Sequence, residues 1–354
     1  MKMFFKKTGT MQALAVLLLI GGTCLFCGCS RQTQRIQMVD TAMGTIVSQT
    51  LYIEGRTIRE QQDIVQEILF CIHDLEQQRL SWRLSGSEIY EINANAGEEN
   101  GIGLSPKLSE HLNACLRVSE ASQGAFDITI GDVVRLWDID TWAGKEETKG
   151  FVIPSESEIN AALEKTGYQK ISLQDNRIIL PKPLQLDMGA VGKGIALDEI
   201  KQILEEYEEI TGAVVSVGGS ILTYGTKSDG SLWNVGIVNP SETSENIGVL
   251  KLEGGWCVST SGDYERFVEK DGVRYHHILN PETGYPAESG VRSVTIVTQN
   301  GLLSDALSTA CFILGEEEGL ALAEEFEAEA LFVLEDGRIS MTEGMQQFFE
   351  LTVE

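Results

Sequence analysis

The segment from Leu186 to Asp198, LDMGAVGKGIALD, constrains this chain more than any other. An apolar strand end runs into glycines at 189, 192 and 194 and then into a helical pattern, so the chain must turn sharply there between a strand and a helix. Exposed backbone amides at such a turn can hold phosphate oxygens, and Lys193 adds a point charge. The glycine spacing is neither that of a Walker loop nor that of a dinucleotide fingerprint. By itself the segment is equally well read as a structural turn.

The surrounding pattern mixes helices and strands without βαβ alternation, which predicts an α+β fold rather than a doubly wound sheet. Residues 45–53 alternate as a strand, and 57–80 read as one long amphipathic helix. A second helix runs from Pro106 to Ser122, where Gln123 and Gly124 stop it. Residues 138–154 read as a loop, 155–165 as a short helix, and two small strands follow near Ile171 and Ile178. A helix from the glycine turn to about Tyr207 precedes a buried strand at 214–217 and further strands near 233–238, 249–252, 256–259 and 294–297. Helices at 304–314 and 319–325 and a strand at 331–334 complete the pattern. No internal repeat or boundary interrupts residues 38–354.

The N-terminus reads as an export signal. Lys2, Lys6 and Lys7 precede the apolar run Ala13 to Ile20, and Gly28-Cys29 resembles a lipobox. The expected organisation is a signal peptide at 1–28, a tether at 29–37 lipidated on Cys29, and one large domain at 38–354. That places the protein on the extracytoplasmic face of the cell membrane. The net charge of −26 argues against nucleic acid, which needs a basic face. An anionic ligand would need local cations or a metal to offset this field. Cys71, Cys115, Cys257 and Cys311 lie far apart among apolar neighbours, with no zinc spacing, and are read as buried free thiols.

Two further segments carry candidate chemistry. In SDALST, at 304–309, Asp305 and Thr309 stand four residues apart, which puts a carboxylate and a hydroxyl on one helix face. Hard oxygens of this kind suit Mg²⁺, which keeps places for water and substrate phosphate. The structural alternative is a helix cap at Asp305 and a back-bonded Thr309. HHILNPETGYP, at 276–286, holds two of only four histidines in front of a rigid loop. A histidine fixed there can accept a proton near neutral pH, and adjacent histidines on a strand face opposite ways. FDITIG at 126–131, TSGDY at 260–264 and MGT at 43–45 read as tight turns, each compatible with a ligand rim.

Taken in order, with SGSEI at 85–89 and VGGS at 217–220, these segments resemble the ApbE family of FAD:protein FMN transferases. The resemblance implies a single large ApbE-like, T-fold-related domain. It implies Mg²⁺-dependent transfer of the FMN half of FAD to a Thr or Ser hydroxyl of an exported flavoprotein bearing a Ser/Thr-Gly-Ala-Thr type motif, with AMP released. FAD pyrophosphatase activity and non-catalytic flavin binding are the alternatives. By the same resemblance, Ala190 (through its carbonyl), Asp305 and Thr309 would hold the metal. Met43, Ala125, Phe126, Asp127, Thr129, Asp187, Lys193 and Leu279 would contact the cofactor. His277 would deprotonate the acceptor, with Lys193 offsetting phosphate charge. The chain departs from the family pattern at Ser220, in place of Asn or Asp, and at Asn280, in place of Asp. Trp82 and Arg83 occupy the stretch where a flavin-side tyrosine often lies, and Trp82 is a substitute stacking surface.

Overall fold

A two-residue hairpin begins the fold. Strands β1 (Thr33–Ala42) and β2 (Thr45–Glu54) pair from Thr33–Glu54 to Ala42–Thr45, leaving only Met43 and Gly44 in the turn. Both have positive φ, 50° and 69°, as the favoured hairpin turn demands. The non-glycine Met43 is held there partly by Glu76, whose carboxylate accepts its N–H at 3.0 Å. The computed structural model describes residues 33–352 except 146, 147 and 149, so the expected signal peptide and Cys29 lie outside the described residues. Residues 33–37, expected as part of a tether, are instead the first half of β1 and pair with β2.

Helix α1 (Ile58–Asp74) starts at a capping box between Thr57 and Glu60 and ends in a π-helical turn, Leu75–Leu80. Then come α2 (Glu88–Ala94), β3 (Ile102–Gly103), α3 (Pro106–Ala121), α4 (Gly131–Trp137), α5 (Ile139–Trp142) and α6 (Glu156–Leu163). Helix α5 interrupts a stretch that the sequence pattern presents as loop. The small strands β4 (Ser172–Gln174) and β5 (Arg177–Ile179) join β3 in the order β3-β5-β4. Helix α7 (Gly192–Glu206) precedes β6 (Ile210–Val217), β7 (Ser220–Gly225), β8 (Trp233–Asn239), β9 (Glu242–Leu252) and β10 (Cys257–Gly262). The chain finishes with β11 (Phe267–Lys270), β12 (Val273–His276), β13 (Val291–Thr298), α8 (Gly301–Leu314), α9 (Glu316–Glu325), β14 (Glu329–Leu334), β15 (Ile339–Met341) and β16 (Phe349–Leu351).

The central sheet has the order β1-β2-β6-β7-β10-β13-β14-β15, and every neighbouring pair is antiparallel. That is the α+β architecture expected from the lack of βαβ alternation. The largest core cluster joins the sheet to α1, α3, α7 and α8 through Leu51, Ile68, Leu112, Ile200, Ile296 and Phe312. A second cluster seats the β16-β9-β8 sheet on other sheet residues through Trp233, Leu250, Val258 and Leu331. A third surrounds Trp137 and Phe151 and joins α4 and α6 to Val268 on β11.

Helices α7 and α8 meet at glycines. A Cβ on Gly194 would lie 2.0 Å from the Gly301 carbonyl oxygen, and one on Gly301 would lie 2.2 Å from that of Gly194. Asp198 of α7 then accepts the N–H groups of Gly301 and Leu302 at 2.6 and 2.9 Å, satisfying amides that the first turn of α8 leaves free. This contact brings the glycine-rich turn and the SDALST segment together.

Candidate active site

A cavity of about 510 Å³ opens at the turn ends of β1–β2 and β6–β7. Its size falls within the range of small-molecule sites, roughly 300–1,000 Å³. Met43, Ala125, Phe126, Asp127, Asp187, Ala190, Lys193, His277, Leu279, Asp305 and Thr309 all line it. Segments separated by more than two hundred residues are thus gathered at one place.

Asp305 lies one turn inside α8, where Asn300 is the N-cap and accepts the Leu303 N–H. Asp305 is therefore not a helix cap, and the structural alternative for it does not hold. Its buried carboxylate instead accepts the Ser220 hydroxyl and the Gly194 N–H, both at 2.6 Å. Lys193 Nζ stands 3.9 Å from the same carboxylate. The back-bonded hydroxyl is that of Ser308, which donates to the Asp305 carbonyl; Thr309 lies 3.4 Å from Ser261 Oγ. Among the described residues there is no group of three or more His, Cys, Asp or Glu side chains able to hold a metal. A cation here would rest on one carboxylate, one hydroxyl and one carbonyl. That set is hard but incomplete, and it fits an ion that habitually takes one or two carboxylates and completes its shell with water and phosphate oxygens. A carboxylate has about four lone-pair sites, so two hydrogen bonds leave Asp305 able to act as a ligand.

The glycine turn is more occupied than its sequence implies. The N–H groups of Gly189, Val191, Gly192 and Gly194 are bonded to the Asp187 carboxylate, the Met188 carbonyl (twice) and the Asp305 carboxylate. Positive charge toward an anion therefore comes from Lys193 more than from an amide cradle. Burial pushes the Asp187 carboxyl above its ordinary range, against the Gly189 N–H and the cations of Arg83 and Arg135.

Thr129 lies behind the cavity wall. It is fully buried and is not part of the cavity lining; its hydroxyl donates to Asp127 Oδ1 at 2.7 Å and accepts the Gly167 N–H at 2.7 Å. Asp127 also accepts the Thr129 and Tyr168 N–H groups at 2.7 and 2.9 Å. This pair shapes the loop that carries Ala125 and Phe126 to the cavity.

The two histidines separate as their position predicts. His276 is buried, donates from Nε2 to the Ala287 carbonyl at 3.1 Å and accepts the Ile278 N–H on Nδ1 at 3.3 Å. His277 has Nδ1 3.2 Å from the Arg266 carbonyl. A carbonyl can only accept, so Nδ1 carries the proton and Nε2 keeps its lone pair. Burial, then the positive charges of Arg266 and Lys193, hold the His277 pKa well below the ordinary histidine value. The ring is a neutral base at neutral pH.

Ser220 is the residue whose importance sequence reasoning missed. Its one signal was its place directly after Gly218-Gly219 at a strand start, and only the fold brings it to Asp305. Asn280 serves the loop itself, since its Oδ1 accepts the Glu282 N–H at 2.8 Å, a bond that Asn and Asp make equally well. Around Trp82, the guanidinium carbons of Arg83 and Arg135 lie 4.3 and 4.9 Å from the ring centroid. Those cations, rather than an open face, are what the indole presents beside the cavity.

Residues 43–332 match the model of the ApbE family. The FAD:protein FMN transferase of Treponema pallidum is 32% identical over 339 residues, 90% of each chain. That of Vibrio cholerae is 29% identical over 323 residues, 91% of this chain and 92% of its own. The crystal structure of the ApbE protein of Thermotoga maritima superposes with a TM-score of 0.77 at 32% identity, covering 89% of this chain and 99% of that one. The apo flavinyl transferase ApbE of Pseudomonas stutzeri also gives 0.77, at 29% identity, over 92% and 100%. The gathered segments and these likenesses agree: the chain belongs to the ApbE family and is a transferase.

Proposed function

We propose that this enzyme transfers the FMN moiety of FAD to a Ser or Thr hydroxyl of an exported flavoprotein and releases AMP. The observation that carries the reading is His277. It is a neutral imidazole with a fixed tautomer and a free Nε2, in the same cavity as Asp305 and Lys193. FAD is the substrate, bound along the cavity with Met43, Phe126 and Leu279 as apolar contacts. The acceptor hydroxyl gives its proton to His277 Nε2 while its oxygen bonds to the FMN phosphorus. The bond from that phosphorus to the bridging oxygen breaks, and AMP leaves as the phosphate anion. Charge that builds on the phosphoryl oxygens faces Lys193. Asp305, Thr309 and the Ala190 carbonyl would hold Mg²⁺, which when bound supplies further charge stabilisation to those oxygens. Ser220 and the Gly194 N–H keep the Asp305 carboxylate oriented as a ligand.

The sequence at 1–29 supports a location on the extracytoplasmic membrane face, with Cys29 lipidated. Cys29→Ser should release the protein from membranes, and retention would indicate an uncleaved N-terminal anchor.

The direct test is incubation of the enzyme with FAD, Mg²⁺ and a protein bearing a Ser/Thr-Gly-Ala-Thr segment. Flavin fluorescence that survives denaturing electrophoresis, with AMP formed in step, is the expected result. AMP without labelled protein would instead establish a hydrolase, and neither product would leave a flavin-binding protein.

A further inference from the structure

A second cavity of about 230 Å³ adjoins the first. The two share Trp82, Arg83, Val134, Asp140, His277 and Leu279 as a common wall. Arg135, Trp137, Asp138 and Ile139 line only the second. The wall is built firmly. Trp137 donates from Nε1 to the Gly284 carbonyl at 2.7 Å, which ties α4 to the loop after His277. Asp140 bridges Arg266 at 2.6 Å and Arg83 at 3.5 Å, joining three separate chain segments. Asp138 and Asp140, by contrast, are exposed, so this cavity opens outward.

In-line displacement places the attacking and leaving oxygens on opposite sides of the phosphorus. An acceptor protein therefore needs an approach of its own, not through the space the nucleotide fills. The proton acceptor must stand where the two approaches meet, and His277 is in the wall common to both cavities. We infer that the second cavity receives the acceptor's hydroxyl-bearing segment, a short stretch of small, polar residues. It lies below the roughly 300 Å³ at which drug-sized sites begin, too small for a flavin ring system with its chain but suited to a few small side chains. Arg135 and Asp138 offer polar groups to the segment's backbone, and Trp137 with Ile139 offers an apolar floor. This rests on the transfer reading above.

The test uses purified enzyme, FAD, Mg²⁺ and a flavoprotein domain carrying a Ser-Gly-Ala-Thr segment. Ile139→Phe fills the second cavity, and Asp138→Gly, at a position whose positive φ of 46° glycine adopts freely, removes one side of it. In either variant the KM for the acceptor should rise about tenfold or more, while the KM for FAD moves less than about twofold, a difference that separates loss of one partner's contacts from loss of both. Equal rises in both constants, or an unchanged acceptor KM in both folded variants, would overturn the assignment. Overpacking at the buried Ile139 lowers stability, so thermal unfolding is followed alongside. A variant-free measurement accompanies it: a short Ser-Gly-Ala-Thr peptide should inhibit transfer competitively against the acceptor protein and not against FAD. Competition against FAD alone would overturn the assignment. A wild-type enzyme that releases AMP but labels no protein would remove the transferase reading itself, and this inference with it.

Discussion

Two carboxylates line the same cavity and are held in opposite ways. Asp127 takes two of its three bonds from Thr129, two residues along, and the third from Tyr168. Its bonds close the turn at 127–129 and tie it to the segment at Tyr168. Asp305 takes its bonds from Gly194 at the start of α7 and Ser220 at the start of β7, so it joins three elements distant in sequence. Both groups are buried. The difference teaches that a polar residue in the lining is not by that fact part of the chemistry. Bonds from its own loop make Asp127 shape the rim of the cavity, whereas the remote bonds of Asp305 fix one carboxylate against two other elements at its floor.

The sharpest way to break this contrast is Asp305→Ala. Metal-dependent transfer should fall by about a thousandfold or more, the scale of several kcal/mol at a charge-stabilising centre, in steady-state assays across a Mg²⁺ titration. Activity within a few-fold of the parent would show that Asp305 serves the fold alone. Next in size is His277→Ala, for which transfer should drop by about 10²–10⁴, the usual contribution of a general base, with FAD affinity little changed in fluorescence titrations. The neighbouring His276→Ala serves as the paired control. Both ring nitrogens of His276 are engaged by the backbone, so its loss should appear in the melting temperature before it appears in turnover.

Thr129→Val probes the opposite side of the contrast. It leaves Asp127 and the Gly167 N–H short of a partner inside the protein, and urea unfolding should record a loss of about 1–3 kcal/mol. Turnover at saturating FAD should stay within a few-fold; a collapse of kcat without loss of stability would restore Thr129 to the active site. The smallest effect concerns pH. In the proposed reaction His277 acts in its neutral form, and its pKa lies below the ordinary value near 6.5. The rate should therefore hold as pH falls from 7 through that value and decline only at more acid pH. Arg266→Gln removes one of the charges that depress the pKa, so the acid limb of kcat should move upward. An acid limb already at the ordinary histidine value in the parent enzyme would contradict the electrostatic account.

Much of the architecture is legible without coordinates. The capping box at Thr57, Pro106 at the first turn of α3 and the Gln123-Gly124 stop are short-range signals, and the elements begin and end where those signals stand. Legibility falls where pairing partners are remote. The start of β1 has the polar composition of a tether, and β7 gives no strand signal of its own although it lies between β6 and β10 in the central sheet. An exposed edge strand carries no apolar alternation to betray it.

The site divides in the same way. From the sequence alone came the candidate chemistry: a lysine in a glycine turn, a carboxylate and hydroxyl one helical turn apart, and a histidine pair before a rigid loop. Tertiary structure decided the rest. It placed Gly194 against Gly301 so that α7 and α8 could touch, assigned Ser220 to Asp305 and withdrew Thr129 from the cavity. It also set which histidine keeps a free nitrogen, because that depends on carbonyls of Arg266 and Ala287 eleven residues away in either direction. Residue type and spacing determine what a side chain is able to do; which of those abilities remains after folding depends on partners that sequence order does not reveal.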